Sequence, residues 1–448
     1  MPIDTTHSQY DKKLKTWQKC RDAIAGEEAI KEAKQKYLPK LSGQDEKEYE
    51  GYLMRGYYFN ASGRTHEAMV GTATRTDPTV EPEYPDKRLN QLAEALIGEV
   101  LVVGRAGILV DAPAAGGEPY MAMYVTEDIT NWQTVRNGDR EILTRVVLRE
   151  SITTPDRDDP YTSETTVAYR ELYLDDNGQY VVQMWEQDAN KNFAKAGGPI
   201  YPQAAGNPMY QIPFVFVSSN GTKAAVIDPP MLDLINVNLS HYRSAADLEH
   251  GRHFTALPTA WVAGFDTEKQ LVIGAATAWV TDNVNAKAGF LEFTGAGLGA
   301  LERALEQKEA QMALLGTQLF MNGVAETATA AKIHRAQQTA SLTSVVQSVS
   351  EAMTIAYQYL LEMLRSSETA VFDMSTDFMP ETIDAGMIST LVSTYQQGGM
   401  SIETLLWNFK QGELLPPDIT PEDEFQLIQA GISRMTASMN EGGENGMV

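Results

Sequence analysis

The 448-residue chain predicts an α+β protein, with helical and sheet regions grouped along the sequence instead of alternating. Three observations carry that expectation. The first hundred residues have helical periodicity, a middle region is built of β-branched and aromatic runs, and from about residue 230 long helical patterns return, broken by one small insert.

In order, "YDKKLKTWQKCRDAI" and "EEAIKEAKQKYL" read as charged helices with narrow apolar faces, the second stopped by Pro39. "EKEYEGYLMRGYYF" places Tyr49, Tyr52, Leu53 and Gly56 on one helical face, and "DKRLNQLAEALIGEVLVVG" is helical by its Leu89, Leu92, Leu96 spacing. "GILVD" is a short apolar run bounded by glycine and proline, hence a strand. "EILTRVVLRE", "ETTVAYRELYL", "QYVVQMWE" and "IPFVFV" follow as strands of an antiparallel sheet, the second and third joined by "DDNG", whose Asn177-Gly178 suits a hairpin turn.

Asp228-Pro229-Pro230 reads as an N-cap followed by prolines that a helix tolerates only at its start. The helix beyond it carries Leu232, Ile235, Leu239, Tyr242 and Ala246 on one stripe. Residues 254–298 form an insert in which "TAWVAG" at 259 is echoed by "TAWVTD" at 277, each a strand, with "FLEF" at 290 as a third. A second long helix then carries Leu298, Leu301, Leu305, Met312, Leu315 and Leu319 at steps of three and four, with Lys308 interrupting them. Two antiparallel helices with the insert at their shared end would make a capped stalk.

From Glu326 to Arg365 there is neither proline nor glycine, which at about 1.5 Å per residue allows a helix of roughly 60 Å. Its apolar positions begin only at Leu342, while the first half is mostly Ala, Thr, Gln and Ser, so small side chains would let neighbouring backbones approach closely. The tail adds a strand, "TAVFDM", two helices, "IDAGMISTLVSTYQ" and "SIETLLWNFKQ", and a loose Gly/Asn/Glu-rich end after Met435.

Composition bounds the function. With 36 Lys plus Arg against 60 Asp plus Glu, the net charge of −24 repels phosphate, and no basic run exists with which to grip nucleic acid tightly. The polar start has no apolar core of the kind a signal peptide requires. The longest apolar stretch, 96–110, is interrupted by Glu99 and Arg105 and is too short to span a bilayer, so a soluble, unexported chain is expected. Cys20 is the only cysteine, which excludes an intrachain disulfide and a Cys-rich metal site.

Catalytic motifs fail on context. Gly295-x-Gly297-x-x-Ala300 has dinucleotide-fingerprint spacing, but no second parallel strand ending in an acidic residue follows its helix. "EHGRH" spaces His250 and His253 at i and i+3, whereas a zincin helix needs i and i+4 and a third ligand; a solvated helix end explains it. No G-x-S-x-G elbow or P-loop occurs, so no cofactor and no catalytic residue is expected. One row remains: Glu302, Glu306 and Glu309 fall on one helical face, which in an isolated helix is a solvated face and in a ring could line a hole.

The order strand region, stalk helix, small insert, stalk helix, glycine-bearing loop and long helix resembles the portal, or head-to-tail connector, proteins of tailed bacteriophages. Within that class, "YLPKL" at 37, "YEGYLMRGYYFNASGRT" at 49, "GRAGILVD" at 104, "ITNWQ" at 129 and "IPFVFV" at 212 resemble one portal-like phage family known as a domain of unknown function. The most specific stretch is "LINVNLSHYRSAADLEHGRHFTALPTAWVAG" at 234. The resemblance implies a mixed α/β wing at 1–228, stem helices at 229–253 and 299–320, and a small α/β clip at 254–298. It further implies a tunnel loop at 321–325, a long radiating wing helix at 326–365, and crown-like C-terminal helices at 366–448.

It implies a homo-oligomeric ring, usually a dodecamer, at one capsid vertex of the virion, assembled in the host cytoplasm. Double-stranded DNA would pass through it non-specifically. Terminase large subunit, a head–tail adaptor and the major capsid or scaffolding protein would be partners, with no membrane. On that reading Glu302, Glu306 and Glu309 line the channel, and Met321, Asn322, Gly323 and Val324 form the tunnel loop. Trp261, Asp266, Glu268, Lys269, Trp279 and Asp282 would then serve docking. Another virion structural protein, such as an adaptor or minor capsid protein, and a soluble cytoplasmic enzyme remain as alternatives.

Overall fold

The computed structural model describes residues 2–84, 88–113, 117–138, 140–155, 159, 161–188, 190–256, 259–265, 279–291, 295, 297–320, 340–376, 378, 385–397, 399–411, 420 and 422–428. It is a mixed α+β structure whose chain divides into two compact units, 1–376 and 377–448.

In the first unit, α1 (Ser8–Ala25) starts where the His7 side chain accepts from Gln9 N, and α2 (Glu27–Glu32) follows after Gly26. The narrow apolar faces expected of these helices are not exposed: Tyr10, Trp17, Cys20, Ala23 and Ile30 are all buried. Nor does Pro39 stop the second helix, which already ends at Glu32 and gives way to a 3-10 turn at 34–36. A capping box opens α3 (Glu46–Arg55), with Asp45 and Glu48 each accepting from the other's backbone N–H. Asn60 caps α4 (Ala61–Ala73), an element with no strong apolar periodicity.

β1 (Thr79–Glu81) precedes α5 (Arg88–Val103), whose last four residues are all buried. From Arg105 the chain enters β2 (Arg105–Asp111), an apolar run buried on both faces, as a central strand should be. β2 pairs antiparallel with β3 (Tyr120–Val125) and with β11 (Phe214–Ser218), giving a three-stranded sheet. A second sheet is an antiparallel meander of β4 (Ile129–Asn137), β5 (Arg140–Pro155), β6 (Ser163–Leu174), β7 (Tyr180–Gln187) and β8 (Phe193–Ile200). The expected turn joins β6 to β7. The Asp175 carboxylate accepts from the N–H groups of Asn177 and Gln179, and Gly178 takes φ +76°, a conformation that favours glycine. A small pair, β9 (Gln203–Ala204) and β10 (Asn207–Pro208), leads back to β11.

Next come α6 (Leu232–Ala256), β12 (Thr259–Ala263), β13 (Lys287–Leu291), α7 (Leu298–Phe320) and α8 (Ala340–Met363). Asp228 does not cap α6, because its carboxylate pairs with Lys13; Leu232 N donates instead to Pro229 O at 3.1 Å. The described half of the expected long helix is α8; its small-residue half lies outside the described residues, as do Met321, Asn322, Gly323 and Val324 of the expected loop before it. Val345, Val346, Val349, Ala352, Met353, Ala356, Tyr357 and Leu360 are buried along α8, which packs on α5 and on the three-stranded sheet. β14 (Val371–Asp373) then pairs antiparallel with β1, Glu81 opposite Val371, so the end of the unit closes onto its first third.

The second unit contains α9 (Ala385–Gln396), α10 (Ile402–Gln411) and a helical run at 422–428. Trp407 of α10 is more than half exposed. No helix among the described residues is long and apolar enough to cross a membrane.

Candidate functional site

The paired helices carry the acidic row singled out from sequence, Glu302, Glu306 and Glu309. Their cross-links fix the direction: His241 lies opposite Glu309, Arg252 opposite Glu302, and Gly251 against Leu298, so rising numbers on α6 meet falling numbers on α7 and the pair is antiparallel. At Gly251 there is no room for a side chain, since a Cβ there would stand 2.7 Å from Leu298 Cδ2.

The two helices are unequal. From Met231 to Leu248, α6 is embedded in the unit, with Leu234, Ile235, Asn238, Leu239, His241, Tyr242, Ala245, Ala246 and Leu248 buried, whereas residues 252–256 are exposed. Among its described side chains α7 buries only Met312. Lys308, which breaks the leucine stripe, reaches across to Ser240 O (3.0 Å) and Ser244 Oγ (2.5 Å). Burial and the nearby charge of Arg243 lower its pKa from the usual lysine value.

The acidic row sits beside this seam. Glu302 accepts from Arg252 at 2.9 Å, and that guanidinium is also held by Glu249 at 2.8 Å. Glu309 Oε1 is 3.3 Å from His241 Nε2. Glu306 is exposed between them. Two of the three carboxylates therefore contact α6 while staying about half exposed.

At the end shared by Ala256 and Leu298 sits a two-stranded hairpin, with Trp261 opposite Gly289 and Ala260 opposite Phe290. The echo of "TAWVAG" by "TAWVTD" does not make the partner strand, which is Lys287–Leu291; residues 279–282 are irregular. Asn283 closes the insert by donating to Gly264 O at 3.1 Å. Trp261 and Phe290 are about half exposed, Val280 and Val284 almost fully so, Asp282 is exposed and Trp279 half-buried. Asp266, Glu268 and Lys269 lie outside the described residues.

The motifs set aside on context have plain surroundings. His250 packs edge-on against Tyr52 (5.0 Å) and Phe254 (4.7 Å), with Arg55 at 3.3 Å from Nδ1. Burial, then Arg55 and His253, hold it below the usual histidine pKa. Gly295 accepts from Leu298 N at 2.9 Å in the turn that starts α7, next to an antiparallel hairpin.

Among the buried polar groups that sequence reasoning missed are Arg105 and Asn238. For Arg105 the signal was present, an arginine inside an otherwise apolar run.

Residues 230–363, from the start of α6 to the end of α8, match the family described as Domain of unknown function (DUF4055). No curated protein matches the chain. Among solved structures, the chain is similar to one in the neck of an empty GTA particle computed with C6 symmetry, at 13% identity and TM-score 0.41, covering 80% of this chain and 92% of that one. A chain in the virion of the native gene transfer agent (GTA) particle matches at 11% identity and TM-score 0.40, with 82% and 94% covered. One in the neck of the native GTA particle computed with C12 symmetry matches at 13% and 0.39, with 82% and 93% covered.

Proposed function

We propose that this chain is a phage portal subunit: a ring-forming, non-enzymatic conduit for double-stranded DNA at one capsid vertex, with a terminase and tail-adaptor platform at its narrow end. The observation that carries the reading is the antiparallel pair α6–α7 with a two-stranded hairpin at its tip, one helix embedded over residues 232–248 and the other burying only Met312 among its described side chains. A helix that buries one described side chain gains little from its own subunit, and a ring supplies the missing neighbours from adjacent copies. The net charge of −24 suits a conduit, because an acidic lumen does not trap sliding phosphate in deep electrostatic wells. In the ring Glu302, Glu306 and Glu309 face the channel. Met321, Asn322, Gly323 and Val324 form the loop nearest the DNA.

The hairpin is the docking element. Trp261 and Phe290 offer exposed aromatic anchors, and Asp282 an exposed charge in the same insert. Asp266, Glu268, Lys269 and Trp279 complete the same insert.

Mass photometry of the purified chain tests the assembly. The expected particle is about 590 kDa, twelve times the 49.4-kDa subunit. A monomer or dimer at every concentration would remove the portal reading.

A further inference from the structure

β5 and β6 outrun the rest of their sheet. The pairing of β4 with β5 stops at Ile129–Leu148 and that of β7 with β6 at Trp185–Tyr169, while β5 and β6 continue through six further rungs, from Glu150–Ala168 to Pro155–Ser163. At about 3.4 Å per residue they reach ~20 Å past the paired sheet, as a two-stranded arm to which no third strand is paired. The base of the arm is clamped on both faces. Arg149 donates to Asp128 at 2.9 and 3.0 Å, and Glu150, on the opposite face, accepts from Tyr124 Oη at 2.6 Å and pairs with Arg170 at 2.8 Å.

Ala168 and Val167 keep the first two rungs on the body of the unit. Beyond them every described residue but the half-buried Ile152 is exposed, and the rungs are mostly Ser and Thr, with Thr153 Oγ1 3.2 Å from Thr165 Oγ1. A two-stranded ribbon without an apolar face is marginal in water, and an open edge templates another chain unless a bulge, a lysine or a proline blunts it. The six rungs show no register shift and no lysine, and their one proline, Pro155, stands at the last. Tyr161, in the connection between the two strands, is 96% exposed. From 151 to 168 the sequence holds Asp156, Asp158, Asp159 and Glu164 against Arg157 alone, so the arm is acidic.

The opposite character lies at one edge of the same sheet. β8 is its last strand, and between Asp188 and Asp228 the chain has no acidic residue, only Lys191, Lys195 and Lys223, although it carries 60 acids in all. Lys191 and Lys195 are exposed. Beyond β8 the pairing of Gln203 with Pro208 sets Tyr201 and Tyr210 at the two feet of β9–β10, and both are about half exposed. We infer that the arm is donated to a second copy of this chain, where it lies on the β8–β10 surface, with Lys191 and Lys195 meeting its carboxylates and Tyr201 and Tyr210 beside its Tyr161. The inference rests on the ring proposed above. A closed ring needs two unlike, mutually complementary surfaces on every subunit, and the arm and the β8 edge are such a pair, opposite in charge.

The test places a photo-crosslinker in the full chain, Tyr161→p-benzoylphenylalanine, in a mixture of unlabelled and isotope-labelled copies, so that mass spectrometry separates adducts within a copy from adducts between copies. On assembled particles the expected adduct joins position 161 of one copy to residues 189–211 of another. Lys195→Glu, at an exposed position, should raise the concentration of half-assembly several-fold at low salt and less at high salt, because salt screens surface charge. Assembled rings with no adduct between copies, or with adducts only elsewhere, would overturn the arm and leave the ring standing. The expected adduct in a dimer would keep the arm and remove the ring, and a chain monomeric at every concentration would remove both. Assembly indifferent to Lys195→Glu at both salts would also overturn the pairing of arm and edge.

Discussion

Asn238 carries four hydrogen bonds through one buried amide. Its Oδ1 accepts from Ser62 N (3.0 Å), Ser62 Oγ (2.9 Å) and Tyr58 Oη (3.2 Å), and its Nδ2 donates to Phe59 O (2.8 Å). Through these bonds α6 holds the entry to α4, and Asn238→Ala would strand a backbone N–H and a carbonyl away from water. The loss should be about 2–4 kcal/mol in urea unfolding, and a change below about 0.5 kcal/mol, the scale of an ordinary surface substitution, would contradict it. At this scale the sequence was least legible. The apolar stripe Leu232, Ile235, Leu239, Tyr242 is readable by spacing, and all but the half-buried Leu232 are buried. What Asn238 bonds to lies far away in the chain, and local periodicity carries no information about that partner. The same holds for His241 and Glu309, whose meeting depends on how two helices pack.

Elements were far more legible, because periodicity and turn chemistry act locally. The hairpin linking β6 to β7 and the helices α5, α6, α7, α9 and α10 follow from patterns of a dozen residues. The misses have physical causes. α4 was hidden by the glycines, threonines and serine of "ASGRTHEAMVGTA", poor helix formers that Asn60 and tertiary packing overrule. β8, "FAKAGGPI", carries two glycines and lies at the edge of its sheet. In β2 the sequence "GILVD" marked a strand but not the reason for its glycine: a Cβ at Gly107 would stand 2.2 Å from Phe214 Cζ and 2.9 Å from Ile129 Cδ1. Gly107→Ala should therefore cost about 1–3 kcal/mol by overpacking, read as a lower melting temperature, and Phe214→Leu in the same chain should recover part of it. A melting temperature equal to wild type would mean that the ring moves aside freely.

For the whole molecule, the grouping of helices and strands along the chain was visible in its periodicity and residue pattern, while the charge acquires meaning only on the proposed ring. Glu302 and Glu309 are tied to Arg252 and His241, so a triple change to lysine would break cross-helix contacts as well as reverse charge. Glu306 is exposed between them and offers the cleaner probe. In a ring, Glu306→Lys would set copies of a cation around one axis, and DNA movement during in vitro packaging should slow in a salt-dependent way through counterion release. Wild-type rates at two salt concentrations, with normal rings by electron microscopy, would place the row on the outside. The pairing of β1 with β14 has a consequence of another kind. Glu81 waits for Val371, so a ribosome must deliver nearly the whole first unit before that sheet can form, and the stalk hairpin emerges earlier as an excursion from a still open loop. Once closed, the unit holds the segments before and after the stalk through β1–β14 and the packing of α5 on α8, so a single backbone cut between β12 and β13 would leave two fragments that remain one folded body.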